Sequence, residues 1–154
     1  MSDSLETLAP EAADSSTKHP FEQGLELYEQ KAPLNEVIEL FEQGLLISPR
    51  ESSGHTCLAW LLLLRQEGDD ATKALAYAIQ AVRLDRHNFQ AHFNLVLAML
   101  VNGQAGVRKE FQQALNKCLH EEDVAEVVAN LKDALERRPD FAEATKMLNW
   151  IETP

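Results

Sequence analysis

Cysteine is scarce in this sequence. Its 154 residues hold two cysteines, Cys57 and Cys118, each within an apolar helical pattern and without a second Cys or a close His at metal-ligand spacing. This usage excludes a disulfide framework and indicates buried thiols in a reducing compartment.

Basic residues are also few. Lys and Arg number 14 against 25 Asp and Glu, which gives a net charge of -11. A phosphate-binding face needs clustered Lys and Arg, so nucleic acid and anionic membrane surfaces are disfavoured as partners. We expect a protein partner that is basic or apolar.

Long hydrophobic runs are absent. The longest apolar runs, 57–64 and 95–101, fall well short of the ~20 residues of a membrane-spanning helix. The N-terminus lacks the basic region and apolar core of a signal peptide. These absences predict a cytoplasmic protein without membrane insertion.

Catalytic motifs are missing too. The five histidines form no HExxH motif and no i,i+4 pair, and the chain has no glycine-rich phosphate loop and no GxSxG elbow. We therefore predict no enzymatic activity, no cofactor and no metal. The nearest candidate for a metal site is His-Glu-Glu-Asp at 120–123, which could offer oxygen ligands but is explained more simply as a solvated turn.

Helical periodicity is what the sequence does contain. Residues 57–64 include no charge, so a helix there must be covered on more than one side. After a polar break, apolar residues recur at intervals of three and four in 73–84. Two such helices in succession predict half of a stacked array of helical hairpins.

The same signals extend along the rest of the chain. Residues 1–17 are acidic and poor in apolar side chains, which predicts a disordered leader. Pro20 suits the first position of a helix. The pairs Asp123 with Glu126 and Asp140 with Glu143 suggest capped starts for the last two helices. In total we expect about eight helices.

One pentapeptide, FEQGL, occurs twice, at 21–25 and at 41–45. A spacing of twenty residues is not the period of a helical hairpin. We interpret the repetition as two helices that meet the same packing demand.

The first hairpin resembles the tetratricopeptide repeat (TPR) family. The matching positions of its two helices are Phe21, Gly24, Leu25 and Tyr28, then Val37, Phe41, Gly44 and Pro49. The resemblance implies an all-α, right-handed superhelical stack of helix-turn-helix hairpins over 18–152, with repeats at 18–51, 52–87 and 88–120. A terminal capping hairpin would occupy 121–152. Pro139 follows Arg86 by 53 residues, so one helix is out of phase with the repeat.

The family resemblance also implies a concave groove, lined by the first helix of each hairpin, that binds a peptide or helix of a partner. Carried over by position, the partner-binding residues are Glu22, Glu26, Glu29, Trp60, Leu63, Phe93, Asn94 and Leu97, with Gln23, Thr56 and Leu100 beside them. One end is acidic and the middle is apolar, which suits apolar anchors and basic residues. Alternatively, Trp60, Phe93 and Leu97 are ordinary core between repeats.

Three function classes remain open. The first is a scaffold or assembly factor that holds a segment of a partner. The second is a chaperone for secreted or unassembled substrates, because type III secretion chaperones resemble this chain in length and acidity. The third is a structural homo-oligomer. Family members that bind the carboxylate tails of heat-shock proteins need Lys and Arg in the groove. Of the groove positions here, only Asn94 matches the pattern of those members.

Overall fold

The computed structural model describes residues 18–154. Within these residues the chain forms eight α-helices and no strand, so the predicted all-α class is confirmed. The helices are α1 Pro20–Glu29, α2 Leu34–Ile47, α3 Ser52–Arg65, α4 Asp70–Leu84, α5 Phe89–Val101, α6 Val107–Lys117, α7 Glu121–Arg137 and α8 Ala142–Glu152. The predicted leader at 1–17 lies outside the described residues.

The helix starts follow the sequence signals in part. Pro20 begins α1, and the side chain of His19 accepts a hydrogen bond from the Phe21 backbone N–H. The predicted cap at Asp123 is wrong by three residues, because His120 occupies the N-cap position and Asp123 the third position of the helix. Its carboxylate accepts from the backbone N–H of Leu119 at 2.9 Å and of His120 at 3.2 Å, so Asp123 caps α7 from inside the first turn.

The chain divides into two compact units, of which the first ends at Ile47 and the second covers Ser48–Pro154. In the first unit, the rings of Phe21 and Phe41 stack with their centres 5.5 Å apart. A Cβ atom on Gly24 would lie 2.6 Å from the Phe41 ring, and one on Gly44 would lie 2.3 Å from the Phe21 ring. Each glycine of the repeated pentapeptide therefore makes room for the phenylalanine of the other copy.

The second unit is built on α3. This helix contacts both α4 and α5, and its apolar residues Leu58 and 61–64 are buried, as the uncharged run predicted. On α4 the buried apolar residues are all alanines: Ala74, Ala78 and Ala81. Small side chains allow close approach of two helices, so α4 packs tightly against its neighbours.

The direction of α5 follows from its two ends. At its start, Asn88 Nδ2 donates to Ser52 Oγ at the start of α3, over 3.0 Å. At its end, Asn102 Nδ2 donates over 2.9 Å to the carbonyl of Ala71, in the first turn of α4 and therefore beside the end of α3. Helices α3 and α5 thus run side by side in the same direction.

Hydrogen bonds connect α7, and the residue that follows it, to both members of this pair. Near the middle of α7, Asn130 Nδ2 donates to Gln90 Oε1 at the start of α5, over 3.0 Å. Just after α7, Arg138 Nη1 donates to the carbonyl of Leu64 at the end of α3, over 2.9 Å. The two donors are eight residues apart, about 12 Å of helix, and their acceptors lie at the start of α5 and at the end of α3. Helix α7 ends two residues before Pro139, the residue whose spacing from Arg86 predicted one helix out of phase.

Candidate functional site

The predicted acidic residues lie together on α1. Glu22, Glu26 and Glu29 are exposed, and Leu25, between them on the same helical face, is 47% exposed. We call these four residues the acidic α1 surface. The Glu26 carboxylate accepts a hydrogen bond from Lys18 and thereby raises the pKa of that amine. The remaining two carboxylates form no ion pair within residues 18–154.

Exposed apolar side chains are concentrated in the same hairpin. Four large hydrophobic residues are exposed in the described part of the chain, and three of them, Leu25, Leu46 and Ile47, belong to the first unit. Leu46 is 85% exposed and Ile47 64% exposed. Apolar area of this kind is favourable to bury against a partner.

The predicted groove residues of the second unit have a different environment. Leu63, Phe93 and Leu97 are fully buried, and Asn94 is 1% exposed. The Phe93 ring meets the edge of Phe111 at 6.1 Å. Among these predicted residues, Trp60 alone keeps a partly exposed side chain. Their role in partner binding stays a prediction, and in this conformation four of the five are covered.

Asn94 takes part in a chain of amides that links three helices. Asn130 of α7 donates to Gln90, Gln90 Nε2 donates to Asn94 Oδ1 at 2.9 Å, and Asn94 Nδ2 donates to the Thr56 carbonyl of α3 at 3.0 Å. Both polar groups of the Asn94 side chain are therefore occupied. Because a buried amide without partners is costly, this network favours one position of α7 relative to α5 and α3.

A buried ion pair holds the break between α3 and α4. Arg65 donates to both carboxylate oxygens of Asp70, at 2.7 and 2.9 Å, and the backbone N–H of Glu67 donates to the same carboxylate at 2.9 Å. The Asp70 side chain is 3% exposed. The guanidinium of Arg65 holds the pKa of the Asp70 carboxyl below its usual value. These bonds fix the turn of the hairpin, which makes Asp70 a structural residue.

The thiols are poorly suited to nucleophilic chemistry. Burial raises the pKa of Cys57 to about 11, and burial together with the nearby Asp123 carboxylate raises that of Cys118. In the described residues no group of three or more His, Cys, Asp or Glu side chains is placed to hold a metal ion. No helix of residues 18–154 has both the length and the apolar character needed to cross a membrane.

Solved structures with similar architecture are TPR domains. The first TPR of Spaghetti (RPAP3), bound to the HSP90 peptide SRMEEVD, has a TM-score of 0.50 and 19% identity, over 86% of this chain and 87% of that one. The Arabidopsis OM64 TPR domain has a TM-score of 0.51 and 14% identity, over 86% and 90%. The second TPR domain of human RPAP3, in complex with the HSP70 peptide SGPTIEEVD, has a TM-score of 0.51 and 15% identity, over 88% and 94%.

The chain has a TPR-like fold. The resemblance carried by the first hairpin is confirmed at the level of the fold, by structures in which each chain is covered almost completely. No protein-family model and no curated protein matches the sequence.

Proposed function

We propose that the protein is an interaction module, acting as a scaffold or assembly factor, and that the acidic α1 surface binds a peptide or helix of a partner protein. The observation that carries the proposal is the exposed Leu25 flanked by Glu22, Glu26 and Glu29 on one helical face. The fold supports it, because two similar TPR domains were solved with peptides bound.

The chemistry of the surface defines the partner. An apolar side chain of the partner would cover Leu25, and Lys or Arg residues would face Glu22 and Glu29. Exposed ion pairs contribute only about 0.2–1 kcal/mol each. The charges therefore act mainly on orientation and association rate, while burial of apolar area supplies most of the affinity.

In the second unit, Trp60 is the predicted contact that needs no rearrangement. A partner that reached Leu63, Phe93 or Leu97 would first have to displace the side chains that bury them. Asn94 would in addition have to exchange its bonds to Gln90 and Thr56. We propose that these four residues contact a partner only after such an exchange.

A pair of charge-reversal variants tests the proposal. Glu22→Lys with Glu29→Lys reverses the acidic α1 surface and leaves the ion pair of Lys18 with Glu26 intact. Glu39→Lys with Glu42→Lys is the matched control, because these glutamates are exposed on α2 and give the same change in net charge. All three chains should show equal helicity by circular dichroism.

Partners would be captured from native lysate, identified by mass spectrometry, and then titrated as purified proteins at low and high salt. We expect the α1 variant to lose affinity by about tenfold at low salt and the control to retain it. Equal affinity of both variants for every purified partner would refute the acidic α1 surface. A concentration-dependent mass in analytical ultracentrifugation, abolished by the α1 variant, would instead support a homo-oligomer.

A further inference from the structure

A second surface of opposite charge lies in the second unit. An open surface pocket of about 480 Å³ is lined by the end of α5, the turn at 102–106, the start of α6 and one face of α8. Its volume lies within the ~300–1,000 Å³ of typical ligand pockets. The side chains that characterise it are Leu100, Val107, Arg108, Lys109, Lys146 and Trp150; we call it the Trp150 pocket.

Every charged side chain that lines this pocket is basic. Arg108, Lys109 and Lys146 are three of only 14 basic residues in a chain of net charge -11. None of the three forms an ion pair within residues 18–154, whereas Lys18, Arg65 and Lys73 do. The pocket therefore concentrates positive charge that the described residues leave unneutralised.

Two of the three basic groups make cation–π contacts with the Trp150 ring. The Arg108 guanidinium lies 4.5 Å from the centre of the indole ring, and the Lys146 amine lies 5.7 Å from it. The indole also packs edge-on against Phe111, with 5.3 Å between ring centres. Cation–π contacts of this kind hold the charged groups beside an apolar wall formed with Leu100 and Val107.

The backbone adds to the positive potential. Gly106 precedes α6 in a left-handed conformation, with φ of +83°, and has no side chain that could cap the helix. The first backbone N–H bonded back into the helix is that of Glu110, to the Gly106 carbonyl. The start of a helix carries partial positive charge, which favours anions beside Arg108 and Lys109.

We propose that the Trp150 pocket binds an acidic peptide segment of a protein partner, with carboxylates on Arg108, Lys109 and Lys146 and an apolar side chain against Trp150. The apolar wall requires a ligand that has both features within a few residues. The large negative charge of the rest of the chain disfavours an extended polyanion, whereas a short segment meets the local positive field within a Debye length of about 8–10 Å.

Three fluorescein-labelled peptides test this ligand class by anisotropy with the full chain. EELDEL carries carboxylates and leucines, QQLNQL replaces each carboxylate with its amide, and EEGDEG lacks the apolar side chains. We expect EELDEL to bind more tightly than either control peptide, by about tenfold, and to weaken as salt is raised.

The site is tested with Arg108→Gln combined with Lys146→Gln. The matched control is Lys73→Gln with Arg83→Gln, since both residues are exposed on α4 and the net charge changes equally. EELDEL should lose about tenfold in affinity for the first variant and none for the second. Circular dichroism and thermal melts check that both variants fold.

Several results would overturn the proposal. They are absence of EELDEL binding up to millimolar concentration, equal binding of QQLNQL, and equal loss in both double variants. Saturable binding of inorganic phosphate or a short oligonucleotide, without peptide binding, would assign the pocket to phosphate ligands instead. Because the acidic α1 surface is intact in all these variants, a failure here leaves the Glu22 and Glu29 test unaffected.

Discussion

The Phe21 ring of α1 packs over Gly44 of α2, so Gly44→Ala should change stability in the direction opposite to that expected of an exposed glycine. Alanine favours a helix over glycine by about 0.8–1 kcal/mol, so an exposed glycine would be stabilised by this change. At Gly44 the new Cβ atom would lie 2.3 Å from two atoms of the Phe21 ring. Overpacking of this kind costs about 1–3 kcal/mol. We expect Gly44→Ala to destabilise the first hairpin by about 1 kcal/mol.

Removing the ring should reverse the sign of the effect. In a Phe21→Ala background the Cβ atom meets no ring, so only the helix propensity remains and Gly44→Ala should stabilise the hairpin by about 1 kcal/mol. Gln43→Ala, at an exposed position of the same helix, serves as the control and should change stability by less than about 0.5 kcal/mol.

The assay has to report on the first unit. Both tryptophans, Trp60 and Trp150, lie in the second unit, so the first hairpin contains no tryptophan of its own as a fluorescent probe. Hydrogen exchange of peptides from 20–47, combined with urea denaturation followed by far-UV circular dichroism, gives the required free energies. Stabilisation by Gly44→Ala in both backgrounds would refute the packing explanation.

Three further predictions concern the second unit. Asp70→Asn should lower the free energy of unfolding at pH 7 by about 1–3 kcal/mol. Because the pKa of Asp70 in the folded chain is depressed below 3.8, the stability advantage of the parent chain is present above about pH 4 and is lost as pH falls through the depressed pKa. Urea titrations at a series of pH values would measure this loss. Cys118 should react with a thiol reagent at pH 8 before Cys57, whose pKa is about 11; mass spectrometry of the labelled sites would contradict this if Cys57 reacted first. Asn94→Ala leaves the Thr56 carbonyl and the Gln90 amide without their partner and should cost about 1–3 kcal/mol in urea denaturation, and a loss below 0.3 kcal/mol would argue against the amide network.

The sequence was sufficient for the helices because their signals are local. The apolar stripes, Pro20 and the cap at Asn88 act within one or two turns, so they predict where helices lie without knowledge of their neighbours. The start of α7 was misplaced because Asp123 is equally suited to a cap and to the third position, from which its carboxylate reaches back to Leu119.

The candidate site was harder to predict because burial depends on residues distant in sequence. The spacing of Pro139 from Arg86 predicted one helix out of phase, but it gave no indication of the bonds that connect α7 and Arg138 to α5 and α3. Arg108 and Lys146 lie on α6 and α8, which are separated along the chain by α7. Only a structure brings these residues together, since neither helix carries a run of basic residues.

The position of α7 also has a consequence for the order of folding. Its bonds from Asn130 to Gln90 and from Arg138 to Leu64 close chain segments of 40 and 74 residues, whereas the Arg65 pair joins residues five apart. Long-range closure loses more chain entropy before it gains contacts. The α3–α4 hairpin should therefore form early in folding and α7 should dock late, after the partners on α5 and α3 are in place.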